Sequence, residues 1–389
     1  MPFRRLSALA AAFLLTVLLA PAASAAGTGF SYQKLTLTTA HGSVVAYLVQ
    51  VDLANPRVRL GLLHPEDVAE REGVAEMAAA QHAVAGVNGD FFNISETHVG
   101  VPPTGSSVGP EIADGRDVKF AVPDGQRFGP AMPAGATTKI VFGAGADRRA
   151  RVSTVDLKGA VSSARGRFGI EGLNQYALPV GGIGAYTHDW GEVSRARAAC
   201  GTDTDRSAGC TTDIEEVVVR DGVVTAESAA PGAGEIAPGT TVLLGREQGA
   251  AELRQLKVGD RVAVGTKLVA ERAPSFEFAV GGFPILQGGQ PLAGLDATTL
   301  APRTAAGASA DGRTAYLLAV DGRGASVGAT VAEMADILRS HGAAVAVNLD
   351  GGGSTTMAVA DPGQAPTVRN LPSDGAERAV ANGIGVFTG

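Results

Sequence analysis

Clusters of basic residues are missing from this sequence, and beyond its first residues so is any long apolar run. Lys and Arg total 32 against 39 Asp and Glu, a formal net charge of −7, so nothing forms the basic stripe that binding a phosphate backbone requires. No nucleic-acid partner is expected. After the N-terminal segment no stretch reaches the roughly 20 apolar residues of a spanning helix, so no membrane association is expected of the mature chain. Aromatic residues are only 5% of the chain, whereas glycine (53) and proline (20) are frequent, a balance that suits many short strands joined by tight turns. Cysteine is almost absent, which leaves Cys200 and Cys210 as the whole inventory.

What is present is a globular composition, 45% apolar over 389 residues, enough for one large domain or two ordinary ones. Met1 to Ala25 reads as a secretory signal: Arg4 and Arg5, the apolar run LSALAAAFLLTVLLA, then the small-residue site Ala23-Ser24-Ala25. The mature chain is read as 26–389 and as secreted (extracellular). In an oxidising compartment two cysteines this close are read as a disulfide.

Along the chain, YQKLTLTT, VVAYLVQVDL and VRLGLL predict antiparallel strands. Val68, Val74, Met77 and Ala78 recur at helical spacing before a strand that ends in Asn88-Gly89-Asp90. The region 111–272, punctuated by glycine and proline, is read as a β-rich inserted subdomain. Thr330 with Glu333 forms a capping box that opens a helix through Leu338, and the strand after it, VAVN, delivers Asn348 and Asp350. VAEMA occurs at the start of both helices, and each helix precedes a strand ending in N-x-D. If the two strands share one sheet, both carboxylates reach the same edge. The fold expected is α/β (α+β mixed), a central mixed sheet flanked by helices.

NLDGGGSTTM, residues 348–357, concentrates the chemistry. Three glycines permit close backbone approach, and the amides of Gly352, Gly353 and Ser354 with the Ser354 and Thr355 hydroxyls can donate to an anion beside Asp350. The bland reading is a tight turn whose aspartate bonds nearby backbone. Together with NGDFF (88–92), GGFPIL (281–286), RTAAG (303–307), VDGR (320–323) and the closing ERAVANGIGVF (377–387), this motif resembles the phosphodiester glycosidase family. The resemblance runs in order from about Val74 to the C-terminus. It implies hydrolysis of a sugar-1-phosphodiester, like an N-acetylglucosamine-1-phosphodiester, at the anomeric centre, in cell-wall or exopolysaccharide metabolism.

That chemistry asks for carboxylates beside anion binders, because breaking the anomeric C–O bond builds positive charge on the sugar while an anionic phosphate departs. Asp350 and Asp90 are the expected carboxylates. Arg303, Arg323 or Arg378 would clamp the phosphate, and Asn88, Asn348 and Asn382 suit sugar hydroxyls. Asp321, at another strand end, completes the set. For each arginine a structural salt bridge is the competing reading. The sequence requires no cofactor and leaves a divalent metal open. NGDFFN also has a superficial likeness to the ligand run of metal-dependent phosphodiesterases, and a non-catalytic glycan-binding wall protein is a further alternative; scattered histidines count against the first and charged strand ends against the second.

Overall fold

A computed structural model of the chain describes residues 29–272 and 274–389, and the predicted signal segment lies outside them. Strands make up 41% of the molecule and helices 10%, so the expected sheet flanked by helices is corrected to a β-rich fold. Four sheets account for the strands. The first runs Phe30–Thr39, Gly42–Asp52, Thr314–Val320, Arg303–Ala308, Val345–Asn348, Phe283–Gln287, Gln290–Pro291. The second runs Pro366–Val368, Met357–Ala360, Ala85–Asn88, Gly383–Thr388, Val58–Leu63. The other two are built from strands between Glu111 and Gly281.

The expected mixed sheet is also corrected. Every pairing is antiparallel except that of Gly172–Leu173 with Ile183–Tyr186, which lies outside the two sheets carrying the N-x-D strands. Short period-two segments ending in tight turns return on themselves, and parallel pairing would need long crossovers that this sequence rarely has room for.

Both predicted helix-strand units form. Val74–Ala80 leads to Ala85–Asn88, and Val331–Ser340 leads to Val345–Asn348. Thr330 and Glu333 make both bonds of the capping box, and Val331, Met334, Ala335, Ile337 and Leu338 bury one face. The first helix is shorter because Gly73 offers no side-chain cap and His82 turns the chain at φ 61°. The two N-x-D strands, however, sit in different sheets. Leu48, Leu318, Val347, Val87 and Ile384 contribute to one apolar core that spans both sheets, so the strands meet end to end over a shared interior. The two cysteines are joined as a disulfide.

Candidate active site

The junction of the first two sheets is stitched by Asn88. Its Nδ2 donates to the Asp350 carbonyl at 2.7 Å, and its Oδ1 accepts from the Thr304 hydroxyl at 2.6 Å and the Thr356 N–H at 3.0 Å. The Asp350 N–H donates to the Gly89 carbonyl at 2.9 Å, and Leu349 N–H to Thr304 at 2.9 Å. Two strand ends from opposite halves of the chain are thereby locked together, with Asp90 one residue beyond one bond and Asp350 at the other.

Asp350 is partly exposed. Burial pushes its carboxyl up to about 6, against the Ser354 hydroxyl, the Gly351 N–H and the Arg378 charge, which favour the ionised form. The Gly351 N–H reaches Oδ1 at 2.9 Å. Arg378 leans over the glycine turn: a Cβ at Gly353 would lie 2.0 Å from its Nη2, so this position must be glycine for the guanidinium to sit there. Arg378 Nε and Nη2 bond Asp374, and Nη1 reaches Ser354 Oγ at 3.4 Å. The expected anion cradle is only partly formed. Gly352 N–H donates to Pro302 and Ser354 N–H to Gly351, because the turn closes on itself in a 3-10 conformation over Gly352–Ser354. Beside it Asn348 Oδ1, Thr355 Oγ1 and Thr356 Oγ1 are buried with no hydrogen-bond partner among the described residues.

Asp90 is enclosed. Its carboxylate accepts from Gly109 N–H at 2.6 Å and Phe91 N–H at 2.8 Å, and its own N–H donates to Asn382 Oδ1 at 2.8 Å. A Cβ at Gly281 would fall 2.1 Å from Asp90 Oδ2, so the family-like GGF turn packs on the carboxylate through a bare backbone. Burial again raises the carboxyl to about 6, opposed by Gly109 N–H, Lys119, Phe91 N–H and Arg127. Asn382 Nδ2 passes the contact on to Glu111 at 2.7 Å, and Ser107 Oγ donates to the same oxygen at 2.5 Å. Lys119, Glu111, Ser107 and Arg127 were not among the residues expected from sequence. A lysine set in the apolar stretch VKFAV was the available signal for Lys119.

Other expected residues are placed elsewhere or already engaged. Arg303 donates Nε to the Ala329 carbonyl at 3.1 Å and Nη2 to Thr299 at 2.9 Å, with Asp296 at 3.8 Å, so its planar fork grips the scaffold rather than the glycine turn. Asp321 accepts from the Tyr47 hydroxyl at 2.9 Å and Leu371 N–H at 2.8 Å. Arg323 bonds the carbonyls of Pro372 and Ser373, on the loop that carries Asp374. Asn88 and Asn382 each engage both ends of the amide with the protein, whereas Asn348 keeps Oδ1 unpaired.

A small pocket of about 10 Å³ adjoins Asp90, lined by Phe91, Arg127, Thr137, Thr138 and Phe283. Thr137 and Thr138 also line an open cleft of about 910 Å³. A cleft of about 540 Å³ near Arg59 and Phe387 shares no residue with the junction. Three close metal-ligand side chains occur at His98, Cys200 and Cys210, where the sulfurs are bonded to one another, and no such trio among the described residues includes Asp90 or Asp350. No described helix is long and apolar enough to cross a membrane.

The pattern of the phosphodiester glycosidase family matches residues 214–387. No curated protein matches the chain. Among solved structures, a hypothetical protein from Synechocystis aligns with a TM-score of 0.73 at 21% identity over 97% of this chain, which spans 64% of that protein's length. A Burkholderia pseudomallei protein, by description exported, aligns with a TM-score of 0.67 at 26% identity, covering 89% of this chain and 74% of its own. The zebrafish N-acetylglucosamine-1-phosphodiester alpha-N-acetylglucosaminidase catalytic domain, auto-inhibited by its pro-peptide, gives a TM-score of 0.45 at 15% identity over 96% of this chain and 88% of its own, too slight to carry weight. Asp90 lies outside the matched residues, whereas Asp350, Arg378 and Asn382 lie within them. Residues 214–387, which carry the glycine turn in their C-terminal part, are similar to the phosphodiester glycosidase family.

Proposed function

We propose that this chain is a secreted hydrolase that cleaves a sugar-1-phosphodiester, of the N-acetylglucosamine-1-phosphodiester kind, at the anomeric carbon of a cell-wall glycan or exopolysaccharide. The observation that carries the reading is Asp350: a partly exposed carboxyl raised to about 6, beside Ser354 and Arg378 and within a family-matched segment. Buried ionisable groups at strand ends are what a hydrolytic site needs and what a purely structural turn does not.

In the proposed reaction the C1–O bond breaks and its electron pair leaves with the phosphate oxygen, so positive charge grows on C1 and the ring oxygen. Asp350, ionised above about pH 6, is assigned to meet that charge. Arg378, which leans over the turn and is paired with Asp374, is assigned to the departing phosphate once Arg303 is committed to carbonyls, with the Thr355 hydroxyl as a further donor. The attacking water forms the new C1–O bond and gives its proton to Asp90, the second carboxylate assigned to the site, which is ionised above about pH 6.

The test is release of N-acetylglucosamine from a synthetic N-acetylglucosamine-1-phosphodiester by the mature chain, assayed with and without chelator. Hydrolysis at C1, shown by which C–O or P–O bond takes up ¹⁸O from labelled water, is expected. Labelling of phosphate instead, abolished by chelator, would move the protein to the metal-dependent phosphodiesterases; saturable glycan binding without turnover would make it a binding protein.

A further inference from the structure

Lys119 ends the short strand Arg116–Lys119 and is fully buried. Its Nζ donates to the carbonyls of Gly109 at 2.8 Å and Phe120 at 2.9 Å. Among the described residues no carboxylate lies within 4.0 Å of it, so it is a buried cation without a contact ion pair. Two carboxylates nevertheless surround it. Gly109, whose carbonyl holds the ammonium, gives its N–H to Asp90, and Glu111, whose charge also acts on the lysine, accepts from the Asn382 amide that takes the Asp90 N–H at its other end. A chain that needed only stability here would place a methionine or leucine, since a buried charge satisfied by carbonyls alone is costly to desolvate.

We propose that Lys119 is a positioning residue for Asp90: through Gly109 it fixes the orientation of that carboxylate, and its charge, balanced by Glu111, sets how tightly Asp90 holds a proton. The proposal rests on the reading of Asp90 as part of a hydrolytic site. Around Asp90 the charged and titratable groups are Lys119, Arg127, Glu111 and the Tyr176 phenol, and Lys119 is the buried one among the cations. Burial lowers the lysine itself to about 8 against the pull of Glu111 and Asp90, so it remains charged at neutral pH.

The experiment titrates Asp90 by carboxyl ¹³C NMR in the mature chain, with the resonance assigned by its absence in Asp90→Asn. Lys119→Met should move the Asp90 midpoint up by about one pH unit, because a neighbouring positive charge is lost, and Glu111→Gln should move it down, because a negative one is lost. In the hydrolysis assay Lys119→Met should lower kcat about ten-fold or more with little change in KM, and the acid limb of its pH profile should follow the midpoint. A folded Lys119→Met with an unmoved midpoint and an unchanged profile overturns the proposal. If that variant does not fold, Lys119→Gln decides: an upward shift supports the coupling and an unmoved midpoint overturns it. Opposed shifts in a chain that hydrolyses no phosphodiester would support the Lys119 coupling and sink the hydrolase reading.

Discussion

Asn88 and Asp350, 262 residues apart in the chain, are joined by a 2.7 Å hydrogen bond from the Asn88 Nδ2 to the Asp350 carbonyl, and the Asp350 N–H in turn donates to the Gly89 carbonyl. Asn88→Ala would leave the Asp350 carbonyl, the Thr304 hydroxyl and the Thr356 N–H without this partner. A loss of about 3 kcal/mol in urea unfolding is expected, with turnover falling further than the unfolded fraction explains. An unfolding free energy within about 0.5 kcal/mol of wild type would show that the junction does not depend on this side chain.

Asp350→Asn keeps size and removes charge. A fall of about 10³-fold in turnover is expected, equivalent to about 4 kcal/mol, with substrate binding less affected. Turnover within a few-fold of wild type on a substrate the wild type accepts would pass the role to Asp90.

The same carboxyls predict a pH dependence of stability. Asp90 and Asp350 hold their protons more tightly in the folded chain, both at about 6, than in an unfolded one. Their contribution is therefore most favourable below about pH 4 and is lost as pH rises through about 6. Thermal melting of Asp350→Asn should gain on wild type between pH 4 and pH 7, while wild-type activity should fall as pH drops below about 6. A melting difference constant across that window would contradict the raised carboxyl.

Arg303→Lys tests scaffold against substrate contact. Its Nε and Nη2 each hold a carbonyl, a geometry one ammonium cannot reproduce, so a loss of about 1–2 kcal/mol is expected with the rate per folded molecule within a few-fold of wild type. A rate collapse without a change in melting would return Arg303 to the phosphate.

The disulfide closes a loop of sequence separation 10. Replacing both cysteines by serine should cost about 3 kcal/mol by the chain-entropy estimate. Calorimetry of the double variant checks it, and unchanged melting would show that the loop is held by its other contacts, such as His98 on the Ala208 carbonyl and Arg206 on the Arg127 carbonyl.

The sequence alone determined the features encoded within a few neighbouring residues: the strand Val345–Asn348 and the glycine turn after it, the capping box at Thr330, the pairing of two lone cysteines, and the family likeness of the C-terminal segment. Periodicity, caps and turns act over one or two turns of chain, so they can be read locally. Tertiary structure alone decided that the two N-x-D strands belong to different sheets, that Arg303 spends its donors on Ala329 and Thr299, and that Lys119 stands behind Asp90. Each of these depends on which distant backbone carbonyl or sheet edge a buried group meets. A residue's type states what it can donate or accept, and only the assembled sheets determine which partner, near or far along the chain, it finds.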